Sequence, residues 1–193
     1  AGFRDTAVAA ADAVTYKDDA TTASVALDNV TNAGTVAVAG NDIETVNVSG
    51  SINATAATIT VDLGTDGMGA DAVTALNLSL AGNTTLNVSG SNGAELETVD
   101  ASGTTGGITY TLAAAGGDAY ALETIMGGTG NDDLTITSLQ DLSADTFAVS
   151  GGAGNDVMEI SGTANGATAV AVTVNGGAGN DTLYGDQGND TID

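Results

Sequence analysis

The sequence predicts an all-β fold, a parallel β-helix or β-roll solenoid, from three observations. Short segments that alternate apolar and polar residues recur along most of the chain, as in residues 43–48 and 76–80. Many of them end on Ser-Gly or Asn-Gly, as at Ser49-Gly50. Period-two alternation rich in Val, Ile and Thr is typical of strands, and glycine beside Ser or Asn is typical of turns. Longer phrases also return at similar spacings, which indicates stacked coils.

Residues 1–23 differ from the rest of the chain. They contain both basic residues, Arg4 and Lys17, and an Ala-rich stretch over residues 6–14. Because solenoids need their ends sealed, we expect an N-terminal cap or linker here, including a short helix. Acidic residues interrupt every apolar run, so the segment does not read as a signal peptide. No segment approaches the roughly 20 apolar residues of a membrane span, and we expect no membrane insertion.

Residues 24–126 are predicted to form β-solenoid coils. The phrase D-I-E-T-V-N-V-S-G at residues 42–50 returns at residues 95–103, 53 residues later, as E-L-E-T-V-D-A-S-G. Its core returns again at residues 122–125, 26 residues further on. These steps fit two coils and one coil of 24 to 27 residues. The sequence contains no proline, which would remove a ladder hydrogen bond.

One nine-residue pattern, G-G-x-G-N-D-x-U-x with U a large apolar residue, occurs four times in the last third. The copies are residues 127–135, 151–159, 176–184 and 185–193, the last with Asp186 in place of the second glycine. Glycines at the first, second and fourth positions allow positive φ and inward carbonyls. The Asp at the sixth position adds a carboxylate, and Ca2+ takes six to eight oxygen ligands at about 2.3–2.6 Å. The large residues, expected to point into the core, are Leu134, Met158, Leu183 and Ile192.

These four copies resemble the calcium-binding nonapeptides of the RTX (repeats-in-toxin) proteins, which are secreted or surface-bound bacterial proteins. The resemblance implies a right-handed parallel β-roll, with RTX-type calcium-binding coils over residues 127–193 and Ca2+ as the cofactor. It also implies that each ion lies between two stacked turns. The alternative is a set of turns without metal, since Asn and Asp suit turns in any case.

The resemblance assigns residues to two ions. One ion would lie between Gly127, Thr129 and Asp132 of one turn and Gly152, Gly154 and Asp156 of the next. A second would lie between Gly151, Ala153 and Asp156 and the residues Gly177, Gly179 and Asp181. The same turns also contain Gly128, Gly130, Gly176 and Ala178, and Asp190 would belong to an unfinished site.

The spacing of the copies predicts how they stack. The first three copies begin 24 and 25 residues apart, and only the last two are in tandem. Each coil therefore has one calcium-type turn and one plain edge. Copies 127, 151 and 176 are expected on one edge, and copy 185 on the opposite edge.

Composition narrows the function. The chain has 25 acidic and 2 basic residues, for a formal charge of -23. Nucleic-acid binding depends on Lys and Arg against phosphate, so no nucleic-acid partner is expected. The chain has no His and no Cys, which excludes a zinc-protease motif and catalytic dyads that use either residue. Paired carboxylates such as Asp132 and Asp133 remain a weak alternative for glycoside cleavage, and we expect no enzyme activity.

The coils also resemble those of RTX-bearing surface-layer proteins, in their scarcity of Lys, absence of Cys and E-T-V-N-V-S-G phrases. This implies a calcium-stabilised structural segment of a secreted bacterial surface-layer (S-layer) protein that self-assembles on the cell surface. The expected partners are calcium ions and other copies in a surface lattice. Export signals and anchoring to cell-surface polysaccharide are expected in regions outside this chain. The alternatives are the spacer of a large RTX adhesin and the calcium-folding module of a secreted enzyme or toxin.

Overall fold

The protein is built from parallel strands in two sheets. A computed structural model describes residues 2–4, 12–15, 20–31, 33–39, 42–53, 57–63, 73–89, 96–112, 122–137, 146–161, 171–185 and 189–193. Within these residues the chain forms strands and no helix. The first sheet contains, in spatial order, β1 (Gly2–Arg4), β3 (Thr22–Val30), β5 (Thr45–Ile52), β7 (Ala75–Ala81), β9 (Thr98–Asp100), β11 (Thr124–Met126), β13 (Thr146–Ala153), β15 (Ala171–Ala178) and β17 (Thr191–Ile192). The second contains β2 (Asp12–Thr15), β4 (Gly34–Ala39), β6 (Ala57–Asp62), β8 (Thr84–Ser89), β10 (Ile108–Leu112), β12 (Asp133–Ile136), β14 (Val157–Ile160) and β16 (Thr182–Tyr184).

Successive strands alternate between the two sheets, and each strand pairs with the next strand but one. One coil therefore contains one strand of each sheet and two connections, as in a β-solenoid. We call the edge at which the chain passes from the first sheet to the second the turn edge. The edge at which it passes back is the return edge.

The strand register confirms the predicted coil length. Thr98 pairs with Thr124, and Thr124 with Ala148, at steps of 26 and 24 residues. Two coils depart from this length. The step from Thr45 to Ala75 is 30 residues, and the step from Thr173 to Thr191 is 18. The short step follows from the tandem nonapeptides, because two of them make one complete coil.

The E-T-V repeat proves to be a feature of stacking. Val46 pairs with Leu76, and Leu76 pairs with Val99, so the two long copies of the phrase lie two coils apart. Val99 then pairs with Ile125 one coil further on. The spacings of 53 and 26 residues therefore have the meaning that the sequence predicts for them.

The core is a thin layer between the two sheets. Strands bury every second residue, as in β6, and the buried Val, Ile, Leu and Ala side chains form one cluster along the described coils. Tyr110 and Phe147 are the largest side chains in it. Leu134 and Met158 point into the core as predicted. The same prediction is wrong for Ile192, which is 50% exposed because β17 has a partner strand on one side only.

The start of the chain differs from expectation where it is described. Residues 2–4 and 12–15 are strands that pair with β3 and β4. The expected short helix over residues 6–14 is therefore wrong at residues 12–14, where the backbone joins the β4 ladder. The rest of that stretch lies outside the described residues. Nowhere in the described part of the chain is there a helix long and apolar enough to cross a membrane.

Candidate metal centre

Three nonapeptide turns stack on the turn edge. The turns that begin at Gly127, Gly151 and Gly176 connect β11 to β12, β13 to β14 and β15 to β16. Their flanking strands are in register: Met126 pairs with Ser150, and Asp133 pairs with Val157. The copy at residues 185–193 leads from β16 to β17 and so lies on the return edge. Both placements confirm what the spacing predicts.

Glycine has a different role at each position of the turn. In the second and third copies the second and fourth glycines have positive φ, between 90° and 148°. The prediction of positive φ is wrong for the first-position glycines and for Gly128 and Gly130 of the first copy, which lie outside the left-handed region. Close contact explains these glycines, because a Cβ on Gly128 would overlap the Thr104 carbonyl oxygen of the coil below.

The first-position glycines leave room for converging oxygens. A Cβ on Gly127 would lie 2.5 Å from Asp132 Oδ2 and would overlap the Gly151 carbonyl oxygen. A Cβ on Gly151 would overlap Asp156 Oδ2 and lie 2.8 Å from the Gly176 carbonyl oxygen. Each first position is thus bordered by a carboxylate oxygen of its own turn and a carbonyl oxygen of the next coil. Oxygen-only surroundings of this kind suit a hard cation such as Ca2+.

The sixth-position carboxylates form a column across the coils. Asp132 N–H donates to Asp156 Oδ1 at 2.8 Å, and Asp156 N–H donates to Asp181 Oδ1 at 3.0 Å. Each Asp therefore replaces a backbone acceptor and ties its turn to the coil below. Adjacent coils are about 4.8 Å apart, so the carboxylates repel one another.

Asp156 has an oxygen without a protein partner. Its side chain is 1% exposed, and Oδ2 accepts no hydrogen bond. Buried polar atoms nearly always have partners, and a buried charged oxygen without one is costly. The chain has only two basic residues to set against 25 acidic ones. A metal ion is the natural partner for this oxygen.

Asp132 is also buried, but both of its oxygens are satisfied. Oδ1 accepts from Ile108 N–H at 2.7 Å and Oδ2 from Gly128 N–H at 2.8 Å. Burial raises the pKa of Asp132 above its ordinary 3.8; the two N–H donors oppose this shift, and the charge of Asp156 adds to it. Burial likewise raises the pKa of Asp156, opposed by the Asp132 N–H and reinforced by the charge of Asp181. Both carboxyls bind protons more readily than exposed ones do.

Backbone carbonyls must supply most of the donors. No group of three or more acidic side chains converges on one point in the described residues, whereas Ca2+ takes six to eight oxygens. Some carbonyls are already engaged: Gly128 O accepts from Ala153 N–H at 3.0 Å, and Ala178 O from Gly154 N–H at 2.8 Å.

The structure brings the two predicted ligand sets into adjacent turns. Thr129, Gly152, Gly154, Gly177 and Gly179 all lie on the turn edge, beside the carboxylate column. Asp190 is apart from them on the return edge, where Oδ1 accepts from Val172 N–H at 3.3 Å.

The fifth-position Asn residues form a second column, which the predicted ligand sets do not include. Asn131 Oδ1 accepts from Asn155 N–H at 2.8 Å, and Asn155 Oδ1 accepts from Asn180 N–H at 2.9 Å. Asn83 does the same for Gly107 N–H two coils below Asn131. These bonds run opposite to those of the Asp column, since the lower side chain accepts from the upper coil. The invariance of Asn at the fifth position of all four copies is the signal that could have identified this column.

Comparison with known proteins identifies the turns. The family model of the RTX calcium-binding nonapeptide repeat matches four copies, over residues 123–135 and 172–193, which is less than a fifth of the chain. The turn at Gly151 lies between these segments and has the same Asp and Asn bonding. No curated protein and no solved structure matches the chain significantly. RTX repeat proteins are typically secreted, which indicates an extracellular location. The chain therefore carries RTX calcium-binding repeats, and it contains a Ca2+-binding structural module of the kind found in secreted proteins.

Proposed function

We propose that this chain is a calcium-stabilised structural segment of a bacterial surface-layer protein, without enzyme activity of its own. One observation carries the proposal: the calcium-type turns are stacked on the same two sheets as the plain coils. β11 pairs with β9 on one side and with β13 on the other, so the sheets continue from plain to calcium-type coils. Calcium therefore acts on the solenoid itself and not on a separate tail.

The calcium sites of this segment lie between stacked turns. Asp132, Asp156 and Asp181 supply the carboxylates, and carbonyls of Gly127, Thr129, Ala153 and the second- and fourth-position glycines supply further oxygens. Calcium neutralises part of a formal charge of -23 that otherwise opposes compaction. Because such turns lack a partner for the buried Asp156 oxygen without metal, metal-binding free energy becomes folding free energy.

A calcium titration tests the calcium part of the proposal. Circular dichroism of the chain, from chelator to millimolar calcium, should show a gain of strand signal, and isothermal titration should show saturable calcium binding. A chain that binds no calcium, or whose strand signal does not change, would contradict the proposal.

Imaging tests the surface-layer part. Copies of the chain assemble laterally into a lattice, with anchoring to cell-surface polysaccharide supplied by regions outside this chain. Electron microscopy of cells bearing the full-length protein should show a periodic array that disappears when calcium is chelated. Isolated filaments that project from the cell would instead identify the spacer of an adhesin. Calcium-dependent activity of a domain outside this chain would identify a secreted enzyme or toxin.

A further inference from the structure

Asp132 and Asp156 occupy the same position of the nonapeptide but have different surroundings. Asp132 accepts two backbone N–H bonds, one at each oxygen. Asp156 accepts a bond only at Oδ1, from Asp132 N–H, and its buried Oδ2 is without a partner. Both side chains are 1% exposed, so water does not remove the difference.

The coil below each Asp explains the difference. Asp156 lies above another calcium-type turn, whereas Asp132 lies above the plain turn of residues 101–107. Ile108 occupies the place in the plain coil where an Asp would continue the column, and its N–H donates to Asp132. Asp132 is therefore bordered on this side by a turn without a carboxylate.

The plain turn is fully bonded without metal. Thr104 is buried, donates its hydroxyl to Leu78 O at 3.3 Å and accepts from Leu80 N–H at 3.2 Å. Its N–H donates to Ala101 O at 2.8 Å, and its carbonyl accepts from Thr129 N–H at 3.0 Å. These bonds connect the plain turn to the first nonapeptide turn above it and to the coil below it.

We propose that the calcium dependence of folding begins between Asp132 and Asp156. The coils through β12 fold without calcium, with Asp132 as a positioning residue that joins them to the next turn. The coils from β13 onward, which contain Asp156 and Asp181, become ordered only when calcium is bound. This inference rests on the proposed calcium-stabilised function and locates its boundary within the chain.

Charge supports this boundary. Without an ion, Asp156 and Asp181 face each other across one coil step, and each is tied to the coil below by one N–H bond. An ion between their turns supplies the missing partner of Asp156 Oδ2 and removes the repulsion. Asp132 already has two N–H donors, so its turn gains less from the ion.

Amide hydrogen exchange of the whole chain, in chelator and in millimolar calcium at neutral pH, tests the proposal. We expect the amides of β10 and β12 to be protected in both conditions. The amides of β14 and β16 should exchange at least about tenfold more slowly with calcium than without it. A simultaneous gain of protection in all four strands would overturn the inference but leave the proposed function standing. Equal protection of all four strands in chelator would overturn both, and this wild-type pattern decides the question even where a variant fails to fold.

Matched variants add a second test. Asp156→Asn should abolish the calcium-induced protection of β14 and β16 and leave β10 and β12 unchanged. Asp132→Asn should speed exchange in β10 and β12 even in chelator, because one amide oxygen cannot accept from both Ile108 and Gly128. Asp133→Asn, the same charge change at an exposed neighbour, should behave as wild type. Identical exchange patterns for the Asp132 and Asp156 variants would contradict the assignment of different roles.

Discussion

Gly152 is a residue at which backbone conformation and coil stacking impose the same requirement. Its φ is +103°, and a Cβ there would overlap the carbonyl oxygen of Gly128 in the coil below. Gly152→Ala should therefore lower the free energy of unfolding in calcium by about 1–3 kcal/mol or more, since left-handed strain and the clash add. Urea unfolding in millimolar calcium measures this loss.

Gly103→Ala is the matched control for this substitution. Gly103 lies outside the left-handed region, and a Cβ there would meet only the Ser79 side chain, at 3.2 Å. We expect a loss below about 1 kcal/mol, because that side chain can move aside. Equal losses at the two glycines would show that the turn at Gly152 does not constrain its φ.

At the scale of the strand and its turn, the plain coil depends on Thr104. The hydroxyl replaces a backbone partner for Leu80 N–H and Leu78 O inside the core. Thr104→Val keeps the shape but leaves these groups unpaired, which should cost about 1–3 kcal/mol. Urea unfolding in chelator is the appropriate measurement, because the plain coils are expected to fold without metal. Thr105→Val, at an exposed neighbour, should change the urea midpoint little, and a comparable loss there would contradict this role of Thr104.

The Asp column makes stability depend on pH in a direction that metal reverses. The pKa values of Asp132 and Asp156 are raised above 3.8 in the fold, so the folded chain binds their protons more tightly than the unfolded chain does. In chelator, their contribution to stability should therefore rise as the pH falls from neutrality towards 3.8. In calcium, protons compete with the ion, and apparent calcium affinity should fall over the same range.

Urea unfolding in chelator and calcium titrations at several pH values measure the two trends. The double variant Asp132→Asn, Asp156→Asn provides the control, since it should lose this part of the pH response in chelator. Wild-type stability in chelator that falls steadily on acidification would contradict the raised pKa values.

At the scale of the whole molecule, general charge repulsion and specific metal binding can be separated. Monovalent salt at about 1 M shortens the screening length to about 3 Å and should raise the urea midpoint in chelator, given the formal charge of -23. It should not match millimolar calcium, because salt does not supply a ligand to the buried Asp156 Oδ2. Magnesium is the control of equal charge, and it should stabilise less because it requires stricter octahedral geometry. Equal stabilisation by all three salts would show that only screening matters.

The sequence predicted the architecture well because a solenoid is specified locally. Period-two alternation placed Val46, Leu76 and Val99 inside, and the spacing of the E-T-V phrase matched the register of their strands. The same spacing placed the three nonapeptide turns on one edge and the fourth opposite them. Each of these features depends on a coil and its immediate neighbours, which the sequence spells out in order.

Other features depended on contacts that the repeat does not encode. The motif treats Ile192 as another inward residue, although half of it is exposed. It assigns positive φ to Gly128, although contact with the plain turn below is what requires glycine there. The Ala-rich residues 12–14 suggested a helix, and the β4 ladder made them a strand. In each case the neighbouring coil decided the outcome.

The sequence by itself determined the coiled parallel fold, the oxygen-rich turns and calcium as their ion, because these follow from periodicity and from the residue types within single turns. Only the tertiary structure decided which Asp has a free oxygen. Asp132 and Asp156 are identical in the motif, yet Ile108 N–H and Gly128 N–H satisfy Asp132, while Oδ2 of Asp156 has no partner. The physical reason is that a buried carboxylate is defined by the donors that the stacked coils bring to it, and those donors come from residues 24 positions away in the chain.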